Sequence, residues 1–211
     1  MAAIYAVLTG DFVKSRGIAS GQYDTVLYQL EQLLVAQADT LGASYNFYRG
    51  DAFQILLPQP AEAVTLALYI RLTLISLGRD CKISIGLGEV TNLRQDVKSA
   101  SGPAFTLSGN GLDNLPGGQR LAIFSQQQPL QQILAVPLQM ADSMLSKLTA
   151  RQAEALLLYF LTPGSSHENI AGKLGTSREN VTKLLNNNHA DYQLMQAFIE
   201  YCHSHILRGI A

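Results

Sequence analysis

The sequence predicts an α+β protein, a ferredoxin-like mixed sheet with helices over residues 1–127, followed by an all-α region that contains a helix-turn-helix. Three observations predict it. Short apolar runs rich in β-formers alternate with helical periodicity in the order strand, helix, hairpin, helix, strand, short helix, strand. Between residues 125 and 139 glutamines dominate, and Pro129 and Pro137 interrupt the pattern. Beyond that shift every periodic segment is helical.

Residues 4–9 are apolar and β-branched without strict alternation, as in a central strand buried on both faces. Gly10-Asp11 ends this run and puts a carboxylate at the strand's exposed end. Over residues 23–41, Val26, Leu27, Leu30, Leu33, Leu34 and Ala38 recur at helical spacing, and Gly42 is a natural stop. Residues 44–48 and 53–57 flank Gly50-Asp51 and predict a hairpin with a second carboxylate at its tip, closed by Pro58 and Pro60. Pro60 suits the first turn of a helix running to about Leu77, before Gly78. A strand over 82–88, a Gly/Ser-rich loop, a short helix near 105–115 and a strand over 120–124 complete the sheet region.

Residues 128–146 read as a linker or connecting helix, and 147–211 as the helix-turn-helix domain. Its first helix, 148–161, stops at Thr162-Pro163-Gly164. Ser166 caps a short helix, 167–174, that ends at Gly175. Thr176 and Glu179 have capping-box spacing for the next helix, with Val181, Leu184 and Leu185 on its apolar face. Asp191 opens a last amphipathic helix through Ile206. Two short helices around a glycine-centred turn, set between longer ones, form the helix-turn-helix pattern.

Composition narrows the function. A hydrophobic content of 47% supplies a core and excludes a disordered chain, while a net charge of −1 supplies no global field toward nucleic acid or anionic membrane. Any DNA contact therefore needs a local patch. Cys81 and Cys202 have no ligand-spaced neighbour, which suits a reducing compartment. No export signal is completed before Gly10-Asp11, and the most apolar helix, 61–77, is short for a bilayer and carries Glu62 and Arg71. A soluble cytoplasmic protein, with no membrane partner, is expected.

The chemistry centres on Asp11 and Asp51. Two carboxylates at neighbouring strand ends offer the hard oxygens that Mg²⁺ or Mn²⁺ prefers, and such ions bind polyphosphates. Spacing alone favours the plainer reading that both are turn formers, since Asp after Gly suits a turn. Lys14, Ser15 and Arg16 follow Asp11 and suit phosphate contact, or else a solvated basic loop. Gly86 and Gly88 allow close approach of a ligand or tight packing, with Glu89 as an additional ligand candidate. In the tail, Ser177, Arg178, Asn180 and Lys183 are the groove-facing groups of a DNA-recognition helix. From Lys147 onward the chain has six Lys/Arg and five Asp/Glu, a weak basic footprint, so a packing or dimerisation module is the rival. Cys202, His203 and His205 do not share one helix face and read as an ordinary helix end.

The ordered blocks Thr9-Gly10-Asp11-Phe12-Val13, Arg49-Gly50-Asp51-Ala52-Phe53, Ile83-Ser84-Ile85-Gly86-Leu87-Gly88 and Gly102-Pro103-Ala104-Phe105 resemble class III nucleotidyl cyclases and the related GGDEF domains. With Lys14-Ser15-Arg16 and the helical tail, the chain more closely resembles the SatD family of bacterial proteins. The cyclase resemblance spans about the first 125 residues. It implies that Asp11, Asp51 and the backbone carbonyl of Phe12 hold Mg²⁺ or Mn²⁺, that a nucleotide or other phosphorylated small molecule is bound, and that the chain is a homodimer. Three positions depart from the cyclase pattern. Thr106 and Asn110 stand where cyclases place ribose-positioning Asn and charge-stabilising Arg, and Phe47 stands at the purine-reading lysine. No Gly-Gly-Asp-Glu-Phe motif is present. The expected function is a transcriptional regulator whose ligand-sensing domain is coupled to a DNA-binding helix-turn-helix. A divergent cyclase or phosphotransferase and an inert interaction scaffold are the alternatives.

Overall fold

The computed structural model describes residues 3–13, 20–48, 51–92, 97–187 and 189–210. Five strands form one mixed sheet: β1 (Ile4–Phe12), β2 (Ser44–Tyr48), β3 (Ala52–Leu57), β4 (Cys81–Glu89) and β5 (Leu121–Ser125). Their spatial order is β2-β3-β1-β4-β5. The first four pair antiparallel, and β5 joins β4 in parallel. Helix α1 (Ser20–Leu41) connects β1 to the β2–β3 hairpin, and a 3₁₀ turn (Pro60–Glu62) leads into α2 (Ala63–Ser76) and β4. This is the ferredoxin-like β-α-β-β-α-β arrangement with β1 at the centre. The expected fold class holds.

The pairing register sorts the strand residues between two faces. Ala6, Leu8 and Phe12 of β1 lie beside Ile55 and Leu57 of β3 and Ile83, Ile85 and Leu87 of β4, all buried under α1 and α2. Gly10 shares this face because a Cβ there would lie 2.2 Å from the Phe53 ring. Helix α2 is buried on nearly every side, which explains its uninterrupted apolar sequence: one side meets the sheet, another the tail.

The opposite face is covered in part by α3 (Pro103–Asp113) and by a 3₁₀ turn (Val97–Ser99). Val97 and Ala104 there pack with Val7 and Leu56. Gly86 and Gly88 lie under α3, so the tight-packing alternative is the one observed. A Cβ at Gly86 would meet the Ala104 carbonyl oxygen at 2.2 Å and the Ser108 nitrogen at 2.6 Å. Both obstacles are helix backbone, so Gly86→Ala must displace α3, and a loss of about 1–3 kcal/mol in urea unfolding is expected. An unchanged midpoint would show that α3 yields freely.

Helix α4 (Gln128–Leu145) runs straight through Pro137. Pro137 interrupts the sequence pattern, but Leu130, Leu134, Leu138, Ala141 and Leu145 bury one continuous stripe and hold the helix together despite the missing N–H. The tail continues as α5 (Ala150–Leu161), α6 (His167–Leu174), α7 (Arg178–Leu185) and α8 (Tyr192–Ile210). α5 packs on α2, α8 packs on α4, and the buried apolar cluster is continuous from the sheet into these helices.

One charged network crosses this junction. Arg71 of α2 is fully buried and donates through Nε and Nη2 to both carboxylate oxygens of Asp80, at 3.0 and 2.8 Å. Its Nη1 reaches Asp142 of α4 at 2.6 Å. Arg120 also pairs with Asp80, and its backbone N–H donates to Asp142 Oδ2 at 2.8 Å. The Cys81 N–H donates to Asp80 Oδ1 at 2.8 Å, so each of the four carboxylate oxygens in the network has a donor.

Candidate functional site

Asp11 is the penultimate residue of β1, opposite Ala52 on β3 and Lys82 on β4. Asp51 immediately precedes β3, and its carbonyl accepts the Phe12 N–H at 2.9 Å, which locks the hairpin end against the end of β1. The two acidic residues named from the sequence are thus brought to one end of the sheet. Their charges interact. Burial pushes the Asp11 carboxyl above the usual carboxylate range and the negative charge of Asp51 pushes it further, while the Phe12 backbone and Lys82 pull it back. Burial and then Asp51 likewise raise the Tyr23 hydroxyl, which places this α1 side chain near the same corner. Its ring packs edge-on against Phe12, centroids 6.3 Å apart.

The register places a polar platform behind Asp11. Side chains alternate, so Thr9 shares the Asp11 face, and the row through Thr9 reads Asn46, Gln54, Thr9, Ser84 across β2, β3, β1 and β4. Gln54 Nε2 donates to Thr9 Oγ1 at 3.2 Å, Tyr48 Oη donates to Gln54 Oε1 at 3.3 Å, and Thr9 Oγ1 and Ser108 Oγ of α3 share a 2.8 Å bond. Asn46 Nδ2 and Ser84 Oγ are buried without a hydrogen-bond partner among the described residues. The row at the sheet end reads Tyr48, Ala52, Asp11, Lys82, with small Ala52 leaving room beside the Asp11 carboxylate.

Sequence reasoning missed Lys82, Tyr48, Thr9, Gln54, Asn46 and Ser84. The usable signal was parity, since residues an even number of positions from Asp11 share its face, but only the register shows which ones lie abreast. Lys14, Ser15 and Arg16 fall outside the described residues, as do Arg49 and Gly50. Among the described residues no group of three or more His, Cys, Asp or Glu side chains could hold a metal ion. Any cation here would rest on the two aspartates and on oxygens other than those of a third carboxylate. Two carboxylates that repel one another beside a backbone edge are a donor set that fits Mg²⁺ or Mn²⁺. Thr106 and Asn110 are exposed on α3, and Asn110 lines a cavity of about 530 Å³ between α3, β5 and α4 with Gly111, Gln119, Phe124 and Gln131.

In the tail, Gly175 takes a left-handed conformation (φ 61°) between α6 and α7. Ser166 caps α6 as expected, its Oγ accepting from the Asn169 N–H at 3.2 Å. The cap of α7 is Ser177 rather than Thr176: Ser177 Oγ accepts from the Asn180 N–H at 3.2 Å, and Thr176 Oγ1 accepts from the Asn180 side chain at 2.9 Å. The turn after Gly175 is therefore one residue longer than the capping-box spacing suggested. Val181 and Leu185 anchor α7 in the core, while Ser177, Arg178, Asn180 and Lys183 are exposed. His167 Nδ1 and Thr182 Oγ1, 2.9 Å apart, link the two short helices. Cys202 is buried, with its thiol pushed up to about 12 by burial, while His203 faces Glu62 at 3.1 Å.

Solved structures similar to this chain include the crystal structure of the guanylyl cyclase Cya2, at 18% identity and a TM-score of 0.41 over 58% of this chain and 77% of that one. Another is the structure of a bacterial light-regulated adenylyl cyclase, at 13% identity and a TM-score of 0.42 over 58% and 76%. No family model and no curated protein matches the chain. Among the described residues no helix is long and apolar enough to cross a membrane.

Proposed function

We propose that the chain is a regulator with two linked parts: a cyclase-like sheet region that binds a nucleotide or other phosphorylated small molecule with Mg²⁺ or Mn²⁺, and a helix-turn-helix that contacts DNA. The observation that carries the ligand half is the raised Asp11 carboxyl, held beside Asp51 at one sheet end. Carboxylates whose negative charges repel one another gain from a divalent cation. Asp11 and Asp51 would hold it with the Phe12 carbonyl, and it would neutralise phosphate oxygens. Lys82 is the cation on the described strands nearest to meet those oxygens, alongside Lys14, Ser15 and Arg16. Asn46, Gln54 and Thr9, which are partly exposed on this row, are suited to the polar, uncharged part of the ligand, while Ser84 is sealed beneath α3.

A thermal-shift series on the full chain tests this half, using Mg²⁺ or Mn²⁺ alone, each nucleoside triphosphate alone, and the pairs. The expected result is a rise that needs both cation and nucleotide. Melting curves that coincide in every mixture would remove the ligand half. A divergent nucleotidyl cyclase or phosphotransferase is the second reading, favoured by Lys82 as a positive charge at the site; from an NTP with Mn²⁺, a cyclic nucleotide with released pyrophosphate would establish the first, and a phosphorylated acceptor with nucleoside diphosphate the second.

Support for the DNA half comes from the capped α6-turn-α7 unit, with Arg178, Asn180 and Lys183 exposed on the second helix. A mobility-shift assay of the full chain on the DNA upstream of its own coding sequence is expected to give a complex that weakens with salt. Arg178→Ala with Lys183→Ala should reduce affinity by about tenfold or more. A complex unaffected by both substitutions would place DNA contact elsewhere.

A further inference from the structure

β5 is an edge strand, so one side of its backbone has no neighbouring strand to pair with. The Arg120 carbonyl accepts the Ile83 N–H of β4 at 2.7 Å, and in a parallel pair every second residue directs both of its backbone groups to the same neighbour. Ala122 and Phe124 therefore bond to β4, while Leu121, Ile123 and Ser125 turn their N–H and C=O groups outward. Two side chains agree with this parity. Gln119 Nε2 donates to the Leu121 carbonyl at 2.9 Å, and Gln131 Oε1 accepts the Ser125 N–H at 3.0 Å. The two glutamines close the edge at both ends and leave Ile123 between them, with its N–H and C=O side by side. Ile123 lines the cavity of about 530 Å³ between α3, β5 and α4. Leu107 of α3 and the Phe124 ring wall this cavity on one face of the sheet, and Ala135 and Leu138 of α4 wall it on the other. Among the described residues none that lines it is charged.

We infer that this cavity is a second binding site, and that its ligand is a neutral, planar cyclic amide whose adjacent C=O and N–H pair with the Ile123 N–H and C=O. Hydrogen bonding sets the edge of the ligand. Ile123 is only 4% exposed, so bulk water serves its outward groups poorly, and a ligand that pairs with both relieves that cost. Shape sets the rest: the backbone groups lie in the plane of the sheet, with one helix above that plane and one below, so a flat ring continues the sheet between apolar walls. Charge excludes ions, which would enter without a counter-charge. An extended peptide needs several free residues along an edge, and here the glutamines already occupy Leu121 and Ser125. Their remaining amide atoms, Gln119 Oε1 and Gln131 Nε2, offer one further acceptor and one further donor to substituents on the ring. The cavity volume is that of a small-molecule site. None of its lining residues belongs to the Asp11 and Asp51 corner, so the inference stands independently of the metal, the phosphorylated ligand and DNA.

Titration of the ¹⁵N-labelled full chain with 2-quinolone, a neutral fused-ring lactam, tests it by NMR. The Ile123 amide should move downfield and saturate with a dissociation constant on the order of 1 mM, as befits so small a probe. N-methyl-2-quinolone cannot donate to the Ile123 carbonyl and should bind about tenfold more weakly or worse. Ala135→Trp fills the cavity from an exposed helix position and should abolish the shift with unchanged circular dichroism. Gln132→Trp, exposed on the same helix and outside the cavity, should keep it. An Ile123 amide unmoved by about 5 mM 2-quinolone overturns the inference. So do equal affinities for the two compounds, a response that survives Ala135→Trp, or shifts confined to the Asp11 end of the sheet.

Discussion

Replacing Arg71 with methionine is expected to cost about 3–5 kcal/mol, or roughly 6–20 °C of melting temperature for a domain of this size. The side chain fills nearly the same volume, so the loss is electrostatic. Asp80 would keep Arg120 and the Cys81 N–H, and Asp142 would keep the Arg120 N–H, but the fully buried cation that faces both would be gone. Asp142, at 4% exposure, is then left without a cation and Asp80, at 8%, with Arg120 alone, so the pair must either stay ionised in a poor solvent or take up a proton. A triple variant, Arg71→Met with Asp80→Asn and Asp142→Asn, should recover part of the loss because it removes the stranded charges. Chemical unfolding of the three proteins settles the matter. A single variant within 1 kcal/mol of wild type would mean that the network is not holding α2, β4 and α4 together.

Asp51→Asn should have two opposite effects. Any stabilisation by Mn²⁺ with nucleotide should vanish, a loss of about 2.7 kcal/mol where wild type is assayed at 100 times its dissociation constant. Without ligand, the variant should be more stable than wild type at neutral pH. The sign follows from Asp11, whose folded-state value lies above the ordinary 3.8 because of burial and then Asp51. As pH rises from about that ordinary value to the raised one, the unfolded chain has already released the proton that the folded chain still holds. Folded protein then binds more protons than unfolded, so stability falls with rising pH across this window. Removing the Asp51 charge narrows the window from its upper end. Titration of the Asp11 carboxyl carbon by NMR should show the value moving down in the variant. If it stays put and the response to Mn²⁺ with nucleotide is the same in both proteins, Asp51 is a turn former and nothing more.

The order of elements along the chain was legible because β-branched runs and helical periodicity alternate cleanly from Ile4 to Phe124. Asp11 and Asp51 were legible because each follows a glycine at a strand end, a local signal. The rest of the platform was not, because Gln54 and Thr9 are 45 residues apart and Thr9 and Ser108 are 99 apart, and nothing local aligns them. Parity within a strand is visible in a sequence, but register between strands is a tertiary fact. Arg71 shows the same limit from another side. It read as a charge that argues against a membrane span, whereas its significance lies in Asp80 and Asp142, whose distance in the chain hides the pairing. Pro137 and Ser177 were misjudged for local reasons: a buried leucine stripe outweighed a missing N–H, and a hydroxyl one residue further on took the cap.

The Arg71 network also bears on the order in which the chain can settle as it is made. Asp80 emerges nine residues after Arg71, but Asp142 follows 71 residues after it. Until α4 has left the ribosome, α2 carries a guanidinium with one of its two carboxylates missing, in a helix whose remaining surface is almost wholly apolar. The charge network beneath the sheet's helical layer is therefore complete only once α4 has been made.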